Sequence, residues 1–266
     1  MPESEAAFTL EQELSLIAGA AREAGRIAMR HFRRDPEVWW KEGKSPVSQA
    51  DLDVDLFLRE VLMAKRPHYG WLSEETVDNQ ERLSAPRTFV VDPIDGTRAF
   101  LGGQSAWCVS IAVVENGRAI AGVLDCPARG EVFTAFSGGG AHRNGEPIAV
   151  KVAGRELTLA GPKSMIKALP PEIYARVTPY PYVPSLAYRI ALVASGVLDA
   201  TFVKSRSHDW DLAAADVILQ EAGGIIIGEA MQRPHYAGPD PRRGALVAGS
   251  GRLLEVMADV TAVLEE

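Results

Sequence analysis

The stretch VVDPIDGTRAF, residues 90–100, constrains this chain more than any other. Apolar strand formers run up to Asp92, the chain turns through Pro93, and a second acid follows at Asp95 before Gly96 and Thr97 open what reads as a helix. A fold that accepts this run must bring a strand end, a tight turn and a helix start to one point. The spacing lets both carboxylates and the Ile94 carbonyl face one pocket. Like charges that close repel, by several kcal/mol when partly buried, and a divalent cation would neutralise them. Oxygen donors without His or Cys beside them favour a hard ion such as Mg²⁺. The backbone N–H groups of Gly96 and Thr97, at a helix start, would then receive a phosphate. Metal and anion sites on neighbouring residues point to phosphoryl chemistry. The plain alternative is an Asp-Pro turn with Asp95 as an ordinary helix cap.

Composition removes several function classes. The 266 residues are 47% hydrophobic and 24% charged, as in ordinary soluble globular proteins, and suffice for one large domain or two lobes sharing an interface. Net charge is −7, and no Lys or Arg run could track a phosphate backbone, so a nucleic-acid polymer is not expected as partner. The start MPESEAAFTLEQELSL lacks the basic and apolar regions of a secretory signal. No apolar run approaches the roughly 18 residues of a membrane span. Cys108 and Cys126 sit in apolar strand-like surroundings, without the spacing of a zinc or redox pair. Both are expected as reduced core residues of a cytoplasmic protein.

Along the chain, Leu10, Leu14, Ile17, Ala21, Ala24, Ala28 and Phe32 mark an amphipathic helix. Pro36, Gly43 and Pro46 predict a long loop that carries Trp39 and Trp40, and a second helix follows from about Ala50 to before Pro67. AWCVSIAVVENGRAIAGVLDC predicts a hairpin turning at Asn116-Gly117, with two more glycine-marked turns after it. Beyond Ala153-Gly154 strands and helices alternate: LTLAG, a helix capped by Ser185 and stopped at Gly196, LDATFV, a helix ending at Gly223-Gly224, and IIIG. Helices and antiparallel strands followed by alternating elements predict an α+β lobe over 1–150 and an α/β lobe over 151–266, packed as one two-lobed, layered unit.

Three more acidic positions matter. WLSEET places Glu74 and Glu75 after a short apolar segment, SPVSQAD places Asp51 at the start of the second helix, and HDWDLAAADVIL places Asp211 at the start of another. Each alone reads as a cap or a solvated acid. The nucleophile-elbow and P-loop signatures are absent, and the five histidines show no H-E-x-x-H spacing. His208, beside Asp209, reads as a loop residue near the mouth of a site.

Taken in order, VSQAD, SEE, DPIDGT and WDLAAADVILQEAGG resemble the inositol monophosphatase family of Mg²⁺-dependent, lithium-sensitive phosphatases, over roughly residues 40–250. The resemblance implies a layered helix-sheet-helix-sheet-helix sandwich and phosphoric monoester hydrolysis with two to three Mg²⁺ ions. It implies that Glu74, Asp92 and the Ile94 carbonyl hold one ion, that Asp92, Asp95 and Asp211 hold a second, and that Glu74 helps place a third. Thr97, paired with Asp51, would orient the attacking water, and the Gly96 and Thr97 amides would hold the phosphate. Leu186 and Ala187 would form part of the specificity wall. Trp39 and Trp40 would lie in a mobile loop, where one closes the site or stacks on a base. A homodimer and a small phosphorylated substrate are implied as well.

The substrate is less constrained. Inositol monophosphatases carry a glutamate seven residues before the last metal aspartate; here that position is Lys204, which suits a substrate with an additional negative group. The same lysine could simply be solvated. Ser45-Pro46-Val47-Ser48 is closer to the branch that removes the 3′-phosphate of 3′-phosphoadenosine 5′-phosphate, whereas DGTRAF is also similar to bacterial histidinol-phosphate phosphatases. A binding or regulatory member of the fold with weak catalysis stays open as another class.

Overall fold

A computed structural model describes residues 8–34, 36–40 and 46–265. Helix α1 (Leu10–His31) starts at Thr9, whose hydroxyl accepts the Gln12 N–H at 3.3 Å while the Gln12 side chain accepts the Thr9 N–H at 2.9 Å. Its buried stripe is Ile17, Ala20, Ala21, Ala24 and Ala28, small residues that let the helix lie close on a sheet. The segment expected as one long loop contains a short antiparallel pair, β1 (Val38–Trp40) and β2 (Pro46–Ser48), in which Trp39 faces Val47. Trp39 and Trp40 on it are exposed. Ser45 lies outside the described residues. Helix α2 (Gln49–Lys65) follows at once and buries Val54, Leu58 and Leu62.

The main sheet comprises β3 (Gly70–Ser73), β4 (Thr88–Asp95), β5 (Cys108–Glu115), β6 (Arg118–Cys126), β7 (Glu131–Phe136), β8 (Ala141–Arg143) and β9 (Glu146–Pro147), in that spatial order. Only β3 and β4 pair in parallel; the remainder is an antiparallel meander. The β5–β6 hairpin turns at Asn116 and Gly117, with φ of 51° and 76°, the positive values that an Asn-Gly turn supplies. Between β4 and β5 the one-turn helix α3 (Thr97–Leu101) branches off.

Both faces of this sheet are covered. Phe89, Val91, Ile111, Val113 and Val123 pack with α1 and α2, while Val90, Ala112, Val114 and Leu124 point the other way. That is why β4 and β5 read as continuous apolar runs rather than alternating ones.

Downstream, β10 (Leu157–Ala160), α4 (Lys163–Lys167), α5 (Pro171–Tyr174) and β11 (Val177–Pro179) lead to α6 (Leu186–Ala194) and β12 (Ala200–Val203). A two-residue strand β13 (Ser207–His208) precedes α7 (Asp209–Glu221), and β14 (Ile225–Ile227), β15 (Arg242–Arg243), β16 (Leu246–Gly249) and α8 (Arg252–Glu265) complete the chain. The second sheet has the order β11-β10-β12-β16-β14. Helices α6 and α7 sit between the two sheets: Ile190, Ala191, Ala215 and Ile218 share one core with Ala112 and Leu124 of the first and Val203 and Ala248 of the second. Met165 and Ile166 of α4 and Leu254 and Met257 of α8 cover the outer face against Leu159, Phe202 and Val247. The result is the expected five-layered helix-sheet-helix-sheet-helix sandwich. No described helix is long and apolar enough to cross a membrane.

The approach of α7 to the first sheet is set by Gly122 on β6. A Cβ there would lie 2.6 Å from Val217 Cγ1 and 2.8 Å from the Ala214 carbonyl. Gly122→Val should therefore push α7 outward and cost about 1–3 kcal/mol in chemical denaturation. A loss below about 0.5 kcal/mol would show that this packing is slack.

Candidate active site

Residues three apart on a strand point to opposite faces. Asp92 and Asp95 do not, because β4 carries a bulge. Asp92 pairs with Ser110 and Asp95 with Cys108, so three steps on β4 match two on β5. The strand thus does not end at Asp92, as its sequence predicts; it continues through Pro93 and Ile94 to Asp95. Ile94 turns into the α1–α2 core, and both carboxylates end on the side of α6 and α7.

Asp211 meets them there. One carboxylate oxygen from each of Asp92, Asp95 and Asp211 lies within 4.8 Å of the others. Asp211 is not the cap of α7 but its third residue: His208 is the cap, and its N–H donates to Asp211 Oδ2 at 2.7 Å. His208 is correspondingly part of β13 and stacks on Trp210 at 4.6 Å between ring centres, rather than lying in a free loop. Asp92 Oδ1 accepts the Ile94 N–H at 3.0 Å. Asp95 is held most tightly: Oδ2 accepts the Ser185 hydroxyl and the Ala187 N–H, each at 2.6 Å, and Oδ1 accepts the Leu186 N–H at 3.2 Å. Asp95 therefore docks on the first turn of α6, whose cap Ser185 also accepts the Tyr188 N–H.

Asp51 approaches from α2. Its Oδ2 accepts the Ser48 N–H at 2.7 Å and the Ser48 hydroxyl at 2.6 Å, while Oδ1 accepts the Thr97 hydroxyl at 3.2 Å. That hydroxyl also lies 3.1 Å from the Ile94 carbonyl. Glu74 follows β3, with its N–H on the Val91 carbonyl, and its charge acts on Asp51, Asp92, Asp95 and Asp211. Gly96 takes φ of 95°, and a Cβ on it would meet the Ala106 carbonyl and Ser185 Cβ at 3.1 Å. Glycine is required there twice over, for the backbone and for space. Helix α3 has only five residues, so its dipole is weaker than the sequence reading assumed.

The electrostatics follow from burial. Asp92 and Asp211 are pushed well above the ordinary carboxylate range, by desolvation first and then by their acidic neighbours. Asp95 rises to about 6 from desolvation, restrained by its three donors, and Asp51 rises to about 6 for the same leading reason. Buried, mutually repelling oxygens with no His or Cys in the set fit a hard divalent cation. The structure thus brings Asp51, Glu74, Asp92, Ile94, Asp95, Gly96, Thr97 and Asp211 together. Leu186 and Lys204 lie beside them on a cavity of 430 Å³ that Asp211 also lines. Arg189 and Ser207, on the same wall, carried no signal in the sequence: one lies inside a helical apolar run, the other in a polar turn.

Comparison with known proteins places this geometry. The family model described as the inositol monophosphatase family matches residues 9–263. The chain belongs to that family. It is a phosphoric monoester hydrolase of the inositol monophosphatase type. It is 32% identical to a histidinol-phosphatase of Chlorobaculum parvum, over 80% of this chain and 84% of that protein. It is 30% identical to a 3′(2′),5′-bisphosphate nucleotidase of Aggregatibacter actinomycetemcomitans, over 77% and 80%. Among solved structures, the Thermotoga maritima IMPase matches with a TM-score of 0.83 and 25% identity, covering 96% of this chain and 98% of that one. Metal dependence is general to this family, and the buried acidic cluster is where an ion would bind.

Carboxyls whose folded-state values exceed their unfolded ones take up protons on folding, so metal-free protein loses stability as pH rises from about 4 through 6 and beyond. The thermal midpoint in chelator should be lower at pH 7.5 than at pH 5.5. Millimolar Mg²⁺ should raise it by several degrees at pH 7.5 and by less at pH 5.5. Asp92→Asn should raise the metal-free midpoint at pH 7.5 and abolish the Mg²⁺ response. A wild-type midpoint indifferent to Mg²⁺ would count against a preformed ion site.

Proposed function

We propose that the chain hydrolyses a small phosphate monoester, an inositol phosphate or 3′-phosphoadenosine 5′-phosphate, with Mg²⁺ held by Glu74, Asp92, the Ile94 carbonyl, Asp95 and Asp211. The carrying observation is the cluster of three carboxylates within 4.8 Å, backed by the Thr97–Asp51 pair beside it. Two to three ions, when bound, supply an activated water and offset charge on the leaving group. The chain's own residues do the rest. Asp51 anchors the Thr97 hydroxyl, which aligns the water on phosphorus, and an Asp51 value raised to about 6 suits a group that accepts a proton near neutrality. Gly96 and Thr97 offer backbone N–H groups to the phosphate. Water oxygen bonds to phosphorus as the ester P–O bond breaks, and the departing oxygen leaves with a proton as the alcohol.

The two lobes, 1–150 and 151–266, act in this reading as one unit, since Asp211 and Leu186 come from the second and the other acids from the first. A homodimer in the cytoplasm, with Cys108 and Cys126 kept as thiols, belongs to the same reading. Histidinol phosphate is a second substrate candidate, favoured by the relative at 32% identity.

Phosphate release with Mg²⁺ tests the proposal directly. Thr97→Ala and Asp51→Asn should each lower kcat by about 10²–10⁴-fold with KM little changed. Asp95→Asn should fold and lose nearly all activity. Full activity in that variant would leave the acids with a purely structural role.

A further inference from the structure

The buried face of α2 carries a second carboxylate that takes no part in the acid cluster. Ala50, Asp51, Val54, Asp55, Leu58 and Leu62 form that face. Asp51 and Asp55 stand one turn apart on it, about 6 Å along the helix axis. Asp51 serves Ser48 and Thr97. Asp55 is 8% exposed and is not one of the three clustered carboxylates. A carboxylate on an apolar helix face is costly unless hydrogen bonds match its oxygens.

Both oxygens of Asp55 are matched from one short turn. Oδ1 accepts the Ser73 hydroxyl, and Oδ2 accepts the Thr76 hydroxyl at 2.6 Å. Those two residues bracket Glu74: Ser73 ends β3 immediately before it, and Thr76 follows two positions later. The Ser73 oxygen in turn accepts the Glu75 N–H at 3.4 Å, and the Thr76 oxygen accepts the Trp71 Nε1–H at 3.2 Å. The pairing of β3 with β4 runs as far as Ser73 and Val91, with one further bond from the Glu74 N–H to the Val91 carbonyl at 3.2 Å. Around that last bond, Ser73 and Thr76 tie the turn to α2 through Asp55.

We propose that Asp55 is a positioning residue for the ion site: it holds the turn that presents Glu74, and through that turn it sets the affinity for the divalent cation. The proposal rests on the reading of Glu74 as a metal ligand. Helix α2 then governs two parts of the site from one rigid element, Thr97 through Asp51 and Glu74 through Asp55. Restraint is needed there, because the charge of Glu74 repels Asp92, Asp95 and Asp211 until a cation offsets it. A carboxylate suits the task, since hydrogen bonds to a charged acceptor are roughly twice as strong as neutral ones. Asparagine in its place would offer one accepting oxygen, and its amide nitrogen can only donate. One of the two hydroxyls would then lose its acceptor, and one end of the turn its anchor.

Mg²⁺ titrated calorimetrically into the metal-free full chain reads affinity without turnover. Asp55→Asn should weaken binding by about 10–100-fold, the loss typical when a group that orients a metal ligand is removed, and Thr76→Val by about tenfold. In phosphate release, the Mg²⁺ concentration for half-maximal rate should rise by the same factor, and excess Mg²⁺ should restore most of kcat. Glu74→Gln is the control. On that background Asp55→Asn should weaken Mg²⁺ binding by no more than about twofold further, because the two changes act on one contact. Fully additive losses would overturn the proposal. So would a lower metal-free thermal midpoint with wild-type Mg²⁺ affinity, the result of a purely structural fastening of α2. If Asp55→Asn fails to fold, Thr76→Val, which keeps the shape of its side chain, decides by the same comparisons. Wild-type Mg²⁺ affinity in Glu74→Gln would remove Glu74 from the ion site and end the proposal together with that reading. Weakened binding in Glu74→Gln but not in Asp55→Asn would end the proposal alone.

Discussion

The geometry around the acids depends on one inserted residue. Without the bulge between Asp92 and Asp95, the second carboxylate would point into the α1–α2 core, where nothing could pair with it. With it, both acids face the layer of helices between the sheets, and the repulsion between them becomes a feature that the surrounding backbone must restrain. It does so with helix starts. Asp95 takes two N–H groups from the first turn of α6, Asp211 takes the N–H of the residue that caps α7, and Asp51 takes that of the residue that caps α2. Each of those ends carries partial positive charge, so the carboxylates are held where helix dipoles favour them.

This arrangement dissolves a choice that the sequence left open. Asp51 and Asp211 read equally as helix-start acids and as site residues. They are both: Asp51 serves the capping backbone with one oxygen and Thr97 with the other, and Asp211 accepts the N–H of the residue that caps α7 while it joins the cluster. Asp92 likewise accepts a backbone donor, the Ile94 N–H. A carboxylate fixed by a backbone donor has little rotamer freedom left to lose when it meets a ligand, which is how a loose set of acids becomes a preorganised one.

Legibility in the sequence followed the range of the interaction. The helices of the first half, the Asn116-Gly117 hairpin, the Ser185 cap and the Gly196 stop rest on contacts within a few residues, and all are present. The strand pair at Trp39 and Val47 escaped because Pro and Gly density reads as loop, while the pairing partners are set by tertiary position. The bulge escaped for a related reason. Pro93 looks like a strand terminator, and only the partner strand reveals that pairing resumes at Asp95. Lys204 was found because it stands at a fixed distance from Asp211. Arg189 was hidden inside RIALVA, where a single cation in an apolar helix reads as a snorkelling surface residue.

Arg189 and Asp95 nevertheless belong to the same helix end. The first turn of α6 gives its N–H groups to Asp95, and the next residue row gives a guanidinium to the cavity. An anion near Arg189 and a cation among the acids would therefore pull on one rigid element from both sides. Substrate charge and ion charge are opposite, and so are the wall and the cluster that face them.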